Sequence, residues 1–179
     1  MEDNIYILGD FCLGNRERTE TILKQLKGKK FLIRGNHDKS CNGLERYFEW
    51  VGDIKEVKFT NNQYDFIDPN ETFCIEMCHF PMFSWNRRPH GTCMTHGHCH
   101  GSTDKINKKL KELRIDIGLD ANLANYEFIS LEKLYNAYKD IVKSNTKVYN
   151  WVMRILHREE IKTFQQYIDW KMLKDKFRM

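Results

Sequence analysis

Leu32-Ile33-Arg34-Gly35-Asn36-His37-Asp38-Lys39 runs apolar and long-chain residues into a glycine, then sets an amide, an imidazole and a carboxylate in consecutive positions. A strand ending at Gly35 would place those three polar side chains at the carboxyl edge of a sheet, where α/β proteins assemble their sites. A plain turn explains the same residues, because Asn and Asp bond their own backbone and Gly supplies positive φ. The rest of the chain decides between the two.

Working outward, Asn4–Asp10 and Lys29–Asn36 are short apolar runs, each interrupted by Gly near its end, and both read as buried strands. Between them, Arg16–Gly28 holds helix formers with Ile22, Leu23 and Leu26 on one side and Gly28 as its stop. Further on, Glu56–Phe59, Tyr64–Ile67, Thr72–Phe80, Gly91–Gly97 and Arg114–Asp120 read as strands joined by short loops, a sheet rich in hairpins. From Ser130 the pattern turns helical, with Val148, Val152, Ile155, Phe164 and Ile168 at helical spacing. The expected fold class is α/β: mixed β-sheets packed as a sandwich, flanked by helices, over residues 1–139. A helical, basic extension follows over 140–179, with a composition break near Ser144-Asn145-Thr146.

At 179 residues, 41% hydrophobic and 30% charged, the chain has the make-up of a globular protein with a real core. No apolar run approaches the roughly 20 residues that span a bilayer, and the start does not resemble a secretion signal, so a cytoplasmic location without membrane contact is expected. Six cysteines without a Cys-x-x-Cys pair suggest reduced, mostly buried thiols. From Lys139 onward ten Lys or Arg face five Asp or Glu, a net of +5, which leaves the preceding residues at −1. That basic tail, with Tyr149, Trp151, Tyr167 and Trp170 among its charges, is the part that could bind nucleic acid; a solvated helix face is the plainer reading.

Four places carry residue types that make sense together: Asp10, the Asn36-His37-Asp38 trio, His79, and the pair His98 and His100. Each follows an expected strand. With the strand ends level, an Asp, an Asn and three His converge as oxygen and imidazole ligands for a metal. On an extended segment His98 and His100, two apart, point the same way, and Cys99 points away. A zinc knuckle of Cys78, Cys93, His96, His98 and Cys99 is the structural alternative, but it lacks paired cysteine spacing. His90 reads as loop, His96 as a strand or supporting residue and His157 as exposed. Arg34, Arg87 and Arg88 are solvent-facing charges by default and phosphate contacts at most.

Leu8-Gly9-Asp10-Phe11, Arg34–Asp38, Cys78–Met82 and Gly97–Gly101, in this order, resemble the motifs of the calcineurin-like metallophosphoesterase family, in particular its small bacterial and phage members. The later Arg114–Asn122 stretch followed by Ile129–Leu134 is similar to a segment of those members. The resemblance spans roughly Asn4 to Leu134. It implies a metal-dependent hydrolase of phosphomonoesters or phosphodiesters, with two divalent cations (Mn, Fe, Ni, Co or Zn). Asp10 would bridge the cations, Asn36, His79 and His98 would complete one, and His100 would bind the other. His37 would be the catalytic residue that faces the substrate, and Asp38 could orient it. The family's opening Asp-x-His motif has no counterpart before Gly9, so a late start or a truncation is expected, with one well-formed metal site and impaired hydrolysis. The alternative is a metal- or nucleic-acid-binding protein that keeps the fold without turnover.

Overall fold

The computed structural model describes residues 3–156, and their side chains for 3–145. The chain divides between Lys139 and Asp140 into two compact units. In the first, β1 (Asn4–Ile7), α1 (Arg16–Gln25), β2 (Lys29–Ile33) and β3 (Trp50–Gly52) open the fold. They are followed by β4 (Ile54–Thr60), β5 (Thr72–Cys78), β6 (Cys93–His96), α2 (Asp104–Leu110) and β7 (Arg114–Asp116). The helix α3 begins at Leu131 and runs to Leu156.

The opening strand-helix-strand unit forms as its sequence requires. Asn15 caps α1 by accepting the Arg18 N–H at 2.9 Å, and the helix buries Thr19 and Leu23. The strands that flank it pair in parallel, with Ile5 opposite Lys30 and Ile7 opposite Leu32. On the other side of β2, β3 pairs in parallel as well, so the first sheet has the order β1-β2-β3. The second sheet has the order β4-β5-β6-β7 and is mixed. Its β4–β5 ladder is antiparallel, whereas β5–β6 and β6–β7 are parallel. The molecule therefore has the mixed α/β architecture expected, but with one hairpin where the loop spacing suggested many. Parallel pairing needs crossover connections, and the segments 79–92 and 97–113 provide them.

Tyr64–Ile67 is not a strand. Asn61 donates through Nδ2 to the carbonyls of Asp65 and Ile67, and the Thr60 N–H bonds Gln63 Oε1, which curls this apolar stretch into turns. Its Ile67 is nevertheless fully buried, a plug rather than a rung. The short β3 and α2 were not legible as elements in the sequence.

Leu32, Ile33, Leu44, Phe73, Ile75 and Met94 are among the core side chains, all fully buried or nearly so. The first turns of α3 close one side of it, where Tyr135 and Tyr138 meet the Phe73 ring at 5.2 and 4.9 Å between centroids. Tyr135 donates its hydroxyl to Glu71 at 2.7 Å, and Lys139 reaches the same carboxylate oxygen at 2.7 Å. In the second unit α3 continues from Asp140 without a break at Ser144-Asn145-Thr146. Val148, Tyr149, Trp151, Val152 and Ile155 lie along it, while His157, Phe164, Tyr167, Ile168 and Trp170 of the basic tail lie outside the described residues. All six cysteines are free thiols, five of them buried. Among the described residues no helix is long and apolar enough to cross a membrane.

Candidate metal centre

The parallel pairs β1–β2 and β5–β6 set their carboxyl ends toward the same place, and the residues after those four strands meet there. Two glycines allow the approach. A Cβ on Gly9, whose φ is +80°, would fall 2.5 Å from His79 Nδ1 and 2.6 Å from the Gly35 nitrogen. A Cβ on Gly35 would fall on Asp10 Oδ1 and lie 2.9 Å from His79 Cε1. Only residues without side chains let the β1 and β2 loops and the His79 ring come this close.

Asp38 holds the first two loops together. Its carboxylate is buried and accepts three backbone N–H bonds, from Asp10 at 2.9 Å, Phe11 at 2.8 Å and Gly35 at 2.6 Å. This corrects the expectation that it orients His37: the carboxylate points inward at backbone amides. His37 instead donates its backbone N–H to Asp10 Oδ1 at 2.8 Å, and its imidazole is exposed.

His79, fully buried, joins the two sheets. Its Nδ1 lies 2.7 Å from the Leu8 carbonyl, a group that only accepts, so Nδ1 donates to it and Nε2 is the ring nitrogen turned to the cluster. Nε2 faces Asn36 Oδ1 at 3.0 Å and Asp10 Oδ2 at 3.5 Å. The His98 ring completes the cluster at 5.1 Å from the His79 ring. One ligand atom each from Asp10, His79 and His98 lie within 4.8 Å of one another. Two donors across a single cation, with bonds of about 2.0–2.2 Å, are at most about 4.4 Å apart. The group thus fits a divalent cation after shifts of a few tenths of an ångström.

His100 does not join this group. The segment after β6 is a tight turn, not an extended strand: φ is +63° at His98 and +50° at His100, and the Cys99 N–H bonds the Gly97 carbonyl at 2.6 Å. Left-handed dihedrals break the two-residue alternation that would have aimed both imidazoles the same way. His100 is largely exposed and pairs through Nδ1 with Asp120 Oδ2 at 2.6 Å. The hydrogen bond and charge of Asp120 raise the His100 pKa above its ordinary value. The turn is anchored by Asp116 at the end of β7, a buried carboxylate that accepts the N–H of Gly101 at 3.0 Å and of Gly118 at 2.9 Å.

Asp116 and Asp120 both lie in the Arg114–Asp120 stretch, read as a strand and as part of a family-like segment but not for its carboxylates, and the alternation of the two with Gly118 was their available signal. His96 is a fully buried strand residue whose pKa burial pushes down, and it takes no part in the cluster. Cys78 and Cys93 are buried in the core, and among the described residues the knuckle candidates do not gather into a group that could hold a metal. Arg88 is not a solvent-facing charge: it forms a two-pronged pair with Glu112 at 2.7 and 2.9 Å. Arg34 and Arg87 are exposed, and His90 ends a short 3-10 turn on the same loop as Arg88.

An Asp, an Asn and two His thus meet at the carboxyl edges of two sheets. The chain belongs to the calcineurin-like phosphoesterase family, whose model matches residues 2–175. Members of that family hydrolyse phosphate esters and in general use divalent metals. A solved structure of a protein of unknown function from Aquifex aeolicus is similar over 70% of each chain, with 22% identity and a TM-score of 0.48. No curated protein matches the chain.

Proposed function

We propose that this chain is a metal-dependent phosphoesterase, acting on a phosphomonoester or phosphodiester, whose better-formed cation site is Asp10, Asn36, His79 and His98. The observation that carries the reading is the convergence of His79 Nε2, set by the Leu8 carbonyl, with Asn36 Oδ1, Asp10 Oδ2 and His98. A divalent cation bound there would lower the pKa of a coordinated water and offset negative charge that develops on the phosphate. The chain's own residues do the rest. Asp10 keeps one oxygen on the His37 amide and turns the other to the cluster. His37, exposed beside the cluster and outside its ligand set, would donate a proton to the leaving oxygen.

For a second cation these residues offer only His100, held by Asp120, and a shared Asp10. Catalytic sites commonly use three protein ligands. We therefore propose that these residues alone hold one cation well and a second weakly, with slow turnover. The test is hydrolysis of a chromogenic phosphodiester and a chromogenic monoester with added Mn²⁺, beside His98→Ala. Loss of even an outer partner of a metal ligand costs about 10–100-fold, so removing His98 should cost at least about 100-fold. Equal rates for the two proteins would sink the assignment of the site.

A further inference from the structure

Phe80 follows His79 directly, and its ring is 45% exposed although it stands against two of the proposed ligands. It meets the His79 ring edge-on at 4.9 Å and the His98 ring at 4.7 Å. The loop it opens is held along its length. Arg114 Nη1 donates to the Met82 carbonyl at 2.9 Å, and the buried Trp85 donates its indole N–H to the Thr92 carbonyl at 2.8 Å. Asn86 donates its backbone N–H to Glu76 at 3.1 Å and its side-chain amide to Glu56 at 2.7 Å. A large ring is thus kept half out of the protein on a well-anchored segment, in contact with residues that would hold a phosphate-binding cation. Phe83, three residues on, is 79% exposed.

Apolar area left open beside a polar site is favourable only when something apolar covers it. The two imidazoles meet the ring in T-shaped geometry, and what its exposed part offers a ligand is offset or edge-on stacking. We propose that Phe80 is a specificity-determining stacking platform that selects phosphate esters whose substituent is an aromatic ring. The proposal rests on the phosphoesterase reading and adds the class of substrate. Phe80 touches His79 and His98, so a ring joined to phosphorus through one or two bonds reaches it, whereas an alkyl substituent of the same charge gains far less from its face.

Two non-hydrolysable probes of equal charge isolate the ring. Phenylphosphonate and methylphosphonate are titrated calorimetrically into the full chain with saturating Mn²⁺. Stacking on one aromatic side chain corresponds to about 5- to 150-fold in affinity, so phenylphosphonate should bind at least about 5-fold more tightly. Phe80→Ala should bring that ratio to about 1, while Phe80→Trp should keep it. A wild-type ratio near 1, with both probes bound, overturns the platform and leaves the phosphoesterase reading intact. Binding of neither probe overturns that reading and the platform with it. Loss of the ratio in Phe83→Ala, with its retention in Phe80→Ala, overturns the assignment to Phe80. The wild-type ratio decides the matter even if Phe80→Ala fails to fold.

Discussion

At the scale of single residues, the site depends most on a side chain that faces away from it. Asp38 satisfies three backbone amides from the β1 and β2 loops, and those loops carry Asp10 and Asn36. An Asn in its place keeps one accepting oxygen and turns an NH₂ group toward amides that can only donate. Asp38→Asn should lose about 1–3 kcal/mol in urea unfolding, as expected for buried donors left unpaired. It should also weaken Mn²⁺ binding although Asp38 is no ligand. An unchanged unfolding midpoint would show that the clamp contributes nothing. The presence of a polar trio after Gly35 was legible from Leu32–Lys39, but the division of labour within it was not. Which of three neighbouring side chains turns inward is decided by the 3-10 turn Asp38–Cys41 and by partners 27 and 28 residues earlier.

At the scale of elements, β4 and β5 carry a built-in conflict. Glu76 on β5 stands opposite Glu56 on β4, and it is buried. Burial, and then the Glu56 charge, raise the Glu76 pKa above the ordinary carboxylate value, against the Asn86 N–H, which lowers it. A raised carboxylate pKa in the folded state means that this group's contribution to stability is fully present below its unfolded value. That contribution is lost as pH rises through the folded value. Glu76→Gln keeps an acceptor for the Asn86 N–H and removes the charge, so it should stabilise the protein at pH 7 by up to about 1 kcal/mol. The gain should vanish near pH 4, and thermal unfolding of both proteins across that range checks it. A gain that is the same at both pH values would show that charge is not its cause. Across both sheets, every strand but β3 was readable as a short apolar run bounded by turn residues. Their parallel pairing was not, because it is set by long crossovers and not by any residue in the strands.

For the whole molecule, the proposed cation ligands come from four loops on two sheets, so whatever binds them ties the first unit together. A ligand that binds only the folded state stabilises it by about 2.7 kcal/mol at 100 times its dissociation constant. For a chain of this size that corresponds to a rise of about 5–11 °C in Tm with Mn²⁺. EDTA should reverse the rise, and His79→Ala should abolish it. An equal rise in His79→Ala would place the cation elsewhere.

The sequence by itself determined which residues follow which strands, and with them the family, since runs of apolar residues closed by Gly and followed by Asp, Asn or His are local properties of the chain. Only the tertiary structure decided which of those residues share a site. His79 is set by the carbonyl of Leu8, 71 positions earlier, and His98 parts from His100 through positive φ angles in a turn that looked extended. Distances of that kind follow from strand pairing and backbone dihedrals accumulated over many residues, and no single stretch of sequence encodes them.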